Sequence, residues 1–179
     1  WRARHALNFH ISVNKSPVQF HNDAGRQQSW LTHLQQIGLD GGSVAIEITE
    51  GLLLDERPEI LDKLMEMKKH GVEVSLDDFG TGYSAMAYLK RFDIDTLKID
   101  QSFVRDLETD ESDRAIAEAI IAMAHKLGMR VVAEGIETRG QLEVLTRSGC
   151  DMGQGYLFAR PMSRAAFDAF LDGGSGDGA

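Results

Sequence analysis

Cysteine and long apolar runs are scarce in this 179-residue chain, and each shortage excludes a class of protein. The single cysteine, Cys150, cannot form a disulfide within the chain, so the sequence is not that of a small disulfide-stabilised module. No apolar run reaches the roughly 20 residues that a membrane-spanning helix needs, and no signal-peptide pattern is present. The class that remains is a globular domain with a hydrophobic core.

Positive charge is also in short supply, because 28 acidic residues outnumber 19 lysines and arginines and leave a net charge of −9. This balance argues against DNA as a partner, since a broad phosphate footprint needs many basic side chains. The six histidines are scattered, without zinc-ligand spacing. A small anionic ligand stays compatible with this charge, because a bound metal ion reverses the local sign.

The chain does contain a repeated alternation of strand and helix patterns. Its 42% hydrophobic content is enough for the core of one domain. Period-two patterns predict six strands near residues 7–14, 44–49, 72–77, 96–100, 130–134 and 152–158. Helical spacing predicts helices between them, the clearest over residues 113–127 and a short one over residues 84–92. This alternation predicts an α/β fold with a parallel sheet and right-handed crossovers.

Five of the predicted strands carry polar or charged residues at or near their carboxyl ends. These residues are Asn14, Glu47, Asp77 with Asp78, Lys98 and Glu134. In a (βα)8 barrel the active site is built at that end of the strands. A doubly wound sheet also binds ligands there, but it commonly has a Gly-rich phosphate loop after its first strand, which this chain lacks. We therefore expect a barrel-type sheet on which these side chains converge.

The most informative stretch covers residues 72–82, where an apolar strand ends on Asp77 and Asp78 and continues into a glycine-containing loop. Adjacent carboxylates repel each other and are costly to desolvate, and a bound cation removes both costs. Two such aspartates can hold two cations about 3.5–4 Å apart, the arrangement that clamps a phosphoryl group. Oxygen-only ligands favour Mg²⁺ or Mn²⁺, with Ca²⁺ as a competitor. The alternative is a turn in which Asp78 begins the next helix.

Two further charged residues each have a chemical and a structural interpretation. Lys98 can hold an attacking water or neutralise a developing oxyanion, or it can form a structural ion pair with Glu47 or Asp77. Glu134 can complete a metal shell or act as a general base, or it can simply be a charge at the start of a helix. Both alternatives stay open from the residues alone.

Six motifs together resemble the EAL family of cyclic-di-GMP phosphodiesterases. They are ISVN at residues 11–14, EITE at 47–50, DDFGTGYS at 77–84, LKID at 97–100, VAEGIET at 132–138 and GCDMGQGYLF at 149–158. The resemblance covers about residues 7–170, and the ordered set is far more specific than any single motif. It implies a (βα)8 TIM-barrel-like EAL fold, with the EAL domain over residues 1–172 and a flexible Gly/Ser tail over residues 173–179.

The resemblance also implies a two-metal site. Asn14, Glu47 and Asp77 resemble the ligands of a first ion. Asp77 further resembles the bridge to a second ion, which Asp78 holds. The implied cofactors are therefore two ions of Mg²⁺ or Mn²⁺.

Other family positions match residues around that site. Lys98 resembles the residue that positions the attacking water, and Glu134 resembles the catalytic or second-metal glutamate. Glu50 resembles the anchor of the loop at residues 79–84. Glu137 and Gln154 resemble positions on the substrate side or just outside the metal ligands.

The implied function is metal-dependent hydrolysis of cyclic di-GMP to linear pGpG by a cytoplasmic domain. The resemblance implies a homodimer, with flanking sensor or GGDEF-type domains in a parent protein that can be membrane-anchored. A non-catalytic cyclic-di-GMP receptor and an interaction module remain as alternatives.

One departure from the family limits these expectations. No Glu-Ala-Leu motif precedes Asn14, and the arginine near that motif, which contacts phosphate in the family, is absent as well. We therefore expect an N-terminally truncated barrel with about six of eight strands, and weak or no hydrolysis from this chain alone.

Overall fold

The computed structural model describes residues 1, 4, 9–22, 26–53, 57–80, 89 and 92–173. Within them the chain forms one six-stranded sheet in the order β1 to β6, and every neighbouring pair is parallel. The sheet curls into a half-barrel, so the α/β fold and the six strands expected from the sequence are confirmed. The helix predicted over residues 84–92 and the tail beyond Gly173 fall outside the described residues, apart from Leu89 and Phe92.

The strands lie near the places where the period-two patterns predict them, but the first begins at Ile11 rather than near residue 7, and the last is also shorter than predicted. They are Ile11–Asn14 (β1), Val44–Thr49 (β2), Glu73–Phe79 (β3), Thr96–Ile99 (β4), Arg130–Ala133 (β5) and Met152–Gly153 (β6). The last strand is only two residues long, whereas the sequence predicted seven. A turn replaces the remainder, in which the Phe158 amide donates to the Gly155 carbonyl at 3.2 Å.

Helices connect most of the strands. They cover Pro17–Asn22 (α1), Arg26–Gln36 (α2), Glu50–Leu53 (α3), Pro58–Lys69 (α4), Gln101–Arg105 (α5), Glu111–Lys126 (α6), Arg139–Arg147 (α7) and Arg164–Gly173 (α8). The longest, α6, begins at Asp110, whose side chain accepts hydrogen bonds from the amides of Ser112 and Asp113. It buries Ala117, Ile120, Ile121 and Ala124, whereas Ile116 is 39% exposed.

The two faces of the sheet differ in polarity because side chains alternate along each strand. Val74, Leu76, Leu97 and Ile99 have no exposed surface and belong to a core shared with residues of the helices. Burial of each such side chain stabilises the fold by about 1.5–3 kcal/mol. The alternate positions, including Lys98, project from the opposite, concave face. This alternation gathers polar side chains inside the curl.

The half-barrel has two edges, β1 and β6. All four residues of β1 are exposed, including Ile11 at 49% and Val13 at 45%. Residues Trp1 and Arg4 lie against α8, where both side chains bond to Asp168. Within the described part of the chain, no helix is both long and apolar enough to cross a membrane.

Candidate active site at the carboxyl ends of the strands

The ammonium group of Lys98 lies at the centre of a cluster of carboxylates. Its Nζ is 3.0 Å from Glu47 Oε1, 3.0 Å from Asp77 Oδ1 and 2.6 Å from Glu134 Oε1. Glu47 belongs to β2, Asp77 to β3 and Lys98 to β4, and Glu134 follows β5 directly. The structure therefore brings together charged side chains from four consecutive strands, and the ion pairs of Lys98 with Glu47 and Asp77 are both present.

The strand pattern explains this convergence. Glu47 alternates with buried Ile46 and Ile48, and Lys98 with buried Leu97 and Ile99. Once the apolar side chains face the helices, the charged ones must face the inside of the curl. Parallel strands have their carboxyl ends at the same edge of the sheet, so these side chains meet there.

A local irregularity in β3 brings Asp78 to the same cluster. In a regular strand, adjacent side chains point to opposite faces, so Asp77 and Asp78 would lie on opposite sides of the sheet. The pairing of β3 with β4 shifts between Leu76 and Phe79, and Asp78 has a φ of +56°. Such a bulge redirects a side chain. As a result, carboxylate oxygens of Asp77, Asp78 and Glu134 lie within 4.8 Å of one another.

Asn14 ends the edge strand beside the cluster. It pairs in register with Glu47, so the two Cα atoms are neighbours across the β1–β2 ladder. Residues paired in register project from the same face of a sheet. Asn14 is exposed, and its side chain lies on the same face of the sheet as that of Glu47.

The cluster has more negative charge than Lys98 can balance. Burial lowers the pKa of Lys98, but its hydrogen bonds to Glu134, Glu47 and Asp77 outweigh burial and raise the pKa overall. Burial raises the pKa of Glu134, and the charges of Asp77 and Glu47 add to that effect, while Lys98 opposes it. Three carboxylates share one ammonium group here. A site with this imbalance is suited to bind further cations.

The donor set fits hard divalent cations. Asp77, Asp78 and Glu134 are close enough to share one ion, and Glu47 and Asn14 extend the oxygen donors along the sheet. Mg²⁺ and Mn²⁺ prefer such oxygen ligands. The pKa of Asp78 is raised as well, because partial burial and the negative charges of Asp77 and Asp100 disfavour its ionised form.

Asp100 was missed as a site residue by the sequence analysis. It follows β4, and its carboxylate is close enough to Asp78 to raise the pKa of that residue. It also caps α5, because its Oδ1 accepts a hydrogen bond from the Ser102 amide at 2.8 Å. The LKID motif contained the signal, but a carboxylate just before a helix is ordinarily interpreted as a cap only.

The three remaining predicted residues lie around this centre. Glu50 is buried at the first turn of α3, and the part of its expected loop at residues 81–84 is outside the described residues. Glu137 is exposed, and its amide donates to Gln141 Oε1 at 2.8 Å.

Gln154 is held by backbone hydrogen bonds to Ala133 and Ile136 on either side of Glu134. It also lines a hollow of about 520 Å³ with Tyr156 and Arg160. The Arg160 guanidinium lies over the Tyr156 ring at 4.3 Å. Gln154 is therefore near Glu134 along the backbone and next to an open space.

Comparison with known proteins places this geometry in a family. The family model described as "EAL domain" matches residues 1–161. The chain is 46% identical over 138 residues to "Cyclic di-GMP phosphodiesterase NbdA" of Pseudomonas aeruginosa, covering 77% of this chain and 18% of that protein. The chain thus spans about a fifth of the length of the curated relatives it matches.

Two solved structures show the same fold. The EAL domain of Mycobacterium smegmatis DcpA is 39% identical with a TM-score of 0.88, covering 96% of this chain and 77% of that chain. A manganese and cyclic-di-GMP complex of Klebsiella pneumoniae BlrP1 is 30% identical with a TM-score of 0.81, covering 89% of this chain and 41% of that chain.

Proposed function

This chain belongs to the EAL domain family, and from that membership we propose that its cluster of carboxylates hydrolyses cyclic di-GMP to linear pGpG with divalent metal ions. The relative NbdA is named a cyclic di-GMP phosphodiesterase, and BlrP1 was solved with manganese and cyclic di-GMP. The observation that carries the proposal is the convergence of Glu47, Asp77 and Glu134 on Lys98.

The chain's own donors would hold two ions of Mg²⁺ or Mn²⁺. Asn14, Glu47 and Asp77 would hold the first, and Asp77, Asp78 and Glu134 the second, with Asp77 between them. Such a pair of ions supplies an activated water and neutralises charge on the phosphoryl oxygens. Asp100, whose carboxylate lies near that of Asp78, would add negative charge beside the second ion.

Lys98 and Glu134 would do the proton and water chemistry. The Lys98 ammonium orients the attacking water toward phosphorus and balances the negative charge that develops there. Glu134, whose carboxylate contacts Lys98, accepts the proton that this water loses. The new bond joins the water oxygen to phosphorus, the bond from phosphorus to one ribose oxygen breaks, and that oxygen takes up a proton to become a hydroxyl group. One ring opening gives the linear dinucleotide.

The outer residues have supporting roles in this proposal. Glu50 anchors the loop after β3, and Glu137 and Gln154 lie toward the substrate. We further propose that the chain works as a homodimer within a longer cytoplasmic or membrane-anchored protein that has sensor or GGDEF-type domains.

Chromatographic detection of pGpG tests the activity directly. In the longer protein, hydrolysis should require Mg²⁺ or Mn²⁺, and Lys98→Ala or Glu134→Ala should abolish it. Glu118→Ala, on the exposed face of α6, is the matched control and should keep the parent rate. Metal-independent hydrolysis, or full activity without Lys98, would contradict the proposal.

A receptor that binds cyclic di-GMP without hydrolysing it is the second candidate. It is favoured by the exposed edge at β1, where Asn14 is the one donor of the proposed set. Retention of ligand by a longer protein that produces no pGpG would select this candidate.

A further inference from the structure

We propose that Lys98 is an internal counter-ion of the metal-free site, and that a divalent cation displaces its ammonium group from Asp77 and Glu134. The inference rests on the proposed metal site and concerns how that site is loaded. It gives Lys98 two successive positions, one among the carboxylates and one beside the bound ions.

The first step is that Lys98 and the proposed metal ion share two of their carboxylate partners. Lys98 Nζ lies 3.0 Å from Asp77 Oδ1 and 2.6 Å from Glu134 Oε1. The same two residues, with Asp78, form the group of carboxylates that is compact enough to hold an ion. Two of the three metal donors are therefore already occupied by an ammonium group.

The second step is that the Lys98 ammonium group and a metal ion cannot occupy the space beside Asp77 and Glu134 at the same time. Mg²⁺ lies about 2.0–2.1 Å from its oxygen ligands, so an ion on Asp77 and Glu134 would be close to the ammonium group. Two positive charges at such a distance repel each other, most strongly away from water, and Lys98 is buried. The lysine stem is flexible, so its head group can move while the strand stays in place.

The third step is the consequence for the site. Without a metal ion, Lys98 keeps Glu47, Asp77 and Glu134 from repelling one another, so the cluster can form before loading. After loading, the ammonium group is released toward the water and phosphate it is proposed to contact. Metal binding and positioning of Lys98 are thus a single event.

Thermal melts of Lys98→Met and Lys68→Met with and without Mn²⁺ test this exchange. Lys68 is the matched control, because it is also a lysine in an ion-pair cluster, 2.9 Å from both Asp93 and Asp95. Lys98→Met removes the competitor, so Mn²⁺ should bind about tenfold more tightly, and its stabilising shift should exceed that of the parent by about 3–6 °C. Lys68→Met should show the parent shift.

The outcomes separate this inference from the proposed function. No Mn²⁺ shift in the parent protein would overturn the metal site itself. A parent shift that is equal in Lys98→Met, or lost from it, would overturn the counter-ion role alone. A Lys98→Met protein that folds only when Mn²⁺ is added would support the role, because the ion then replaces the missing ammonium group.

A spectroscopic measurement on the parent protein covers the case in which Lys98→Met does not fold at all. The ¹⁵N-lysine ammonium signal of Lys98, assigned by its loss in Lys98→Arg, should be protected in the metal-free protein and should shift on titration with Mg²⁺. An unchanged signal in protein that Mg²⁺ has stabilised would overturn the inference.

Discussion

Asp77 and Asp78 owe their shared position to backbone geometry as much as to their charge. The bulge before Phe79 and the positive φ of Asp78 bring both side chains to the inner face of the sheet. A non-glycine residue with positive φ is uncommon and costs energy, and such strain concentrates at functional sites. The strain in β3 is therefore consistent with a metal-binding role for this pair.

Asp77→Asn tests that role because it keeps the shape of the side chain and removes its charge. In the parent protein, Mg²⁺ or Mn²⁺ at about 100 times its dissociation constant should stabilise the fold by about 2.7 kcal/mol, or about 5–10 °C. Asp77→Asn should lose most of this shift in a thermal melt. Asp93→Asn, exposed and paired with Lys68, should keep it, and an undiminished shift in Asp77→Asn would refute the ligand assignment.

Asp151 offers a pH-dependent contribution to stability outside the cluster of charged side chains around Lys98. Its Oδ2 accepts hydrogen bonds from the Val131 amide at 2.7 Å and from His125 Nε2 at 2.8 Å. Burial raises the pKa of Asp151, but the hydrogen bonds from His125 and Val131 outweigh it and bring the pKa below its ordinary value of 3.8. The ionised carboxylate therefore stabilises the folded state.

Asp151→Ala should accordingly lower the free energy of unfolding by about 1–2 kcal/mol at pH 7. A carboxylate with a lowered folded-state pKa stabilises the fold above its unfolded-state pKa, and this contribution is lost as the pH falls through the folded-state pKa. The difference between parent and variant should therefore begin to shrink only once the pH falls below about 3.8. Urea unfolding between pH 3 and pH 7 measures this. A difference that is constant with pH would show that the charge is irrelevant.

The sequence predicted the members of the site better than their mutual geometry. Alternation with buried residues is enough to place Glu47 and Lys98 on one face. It does not reveal the bulge that brings Asp78 there, because a bulge depends on pairing with a neighbouring strand. Asp100 was missed for a related reason. Its role as the cap of α5 can be inferred from neighbouring residues, whereas its proximity to Asp78 depends on the tertiary fold.

Among the elements, β6 and the turn after it depend on close backbone contact. A Cβ on Gly155 would lie 2.2 Å from the Ile136 carbonyl oxygen and 2.3 Å from its amide nitrogen. Ile136 also donates to the Gln154 carbonyl and accepts from Leu157. The sequence predicted a longer strand here because Tyr156, Leu157 and Phe158 favour strands, and tertiary contact overrode that preference.

Gly155→Ala should therefore force this turn away from the segment that follows Glu134. We expect a loss of about 1–3 kcal/mol in the free energy of unfolding, as for other overpacked sites. Gly51→Ala in α3 is the control, since no described atom outside its own helix and chain neighbours lies within 4 Å of an added Cβ, and it should not lower stability. Denaturant melts of both variants check this, and equal stability would mean that the turn yields easily.

At the scale of the whole molecule, the described residues form an open half-barrel, and the charged cluster lies at the carboxyl ends of β2 to β5, between the two edges. In this structure β1 and β6 are the edges, with Ile11 and Val13 exposed. Open parallel edges and apolar strand residues in water are unfavourable. The fold of the described residues thus positions Glu47, Asp77, Lys98 and Glu134 without enclosing them.

This openness predicts how activity depends on chain length. A two-metal reaction requires donors held to within about 1 Å, since misplacement of that size costs roughly a hundredfold in rate. With exposed Asn14 as the sole donor on β1 in the proposed set, residues 1–179 alone should hydrolyse cyclic di-GMP very slowly or not at all. A longer protein that pairs a further strand with β1, and has a glutamate and an arginine at the carboxyl end of that strand, should produce pGpG with Mg²⁺ or Mn²⁺.

Chromatography of matched amounts of both proteins compares their rates of pGpG production, with Lys98→Ala of the longer protein as the blank. Full activity from residues 1–179 would show that the donors described here are sufficient, and that the open edge does not limit the reaction.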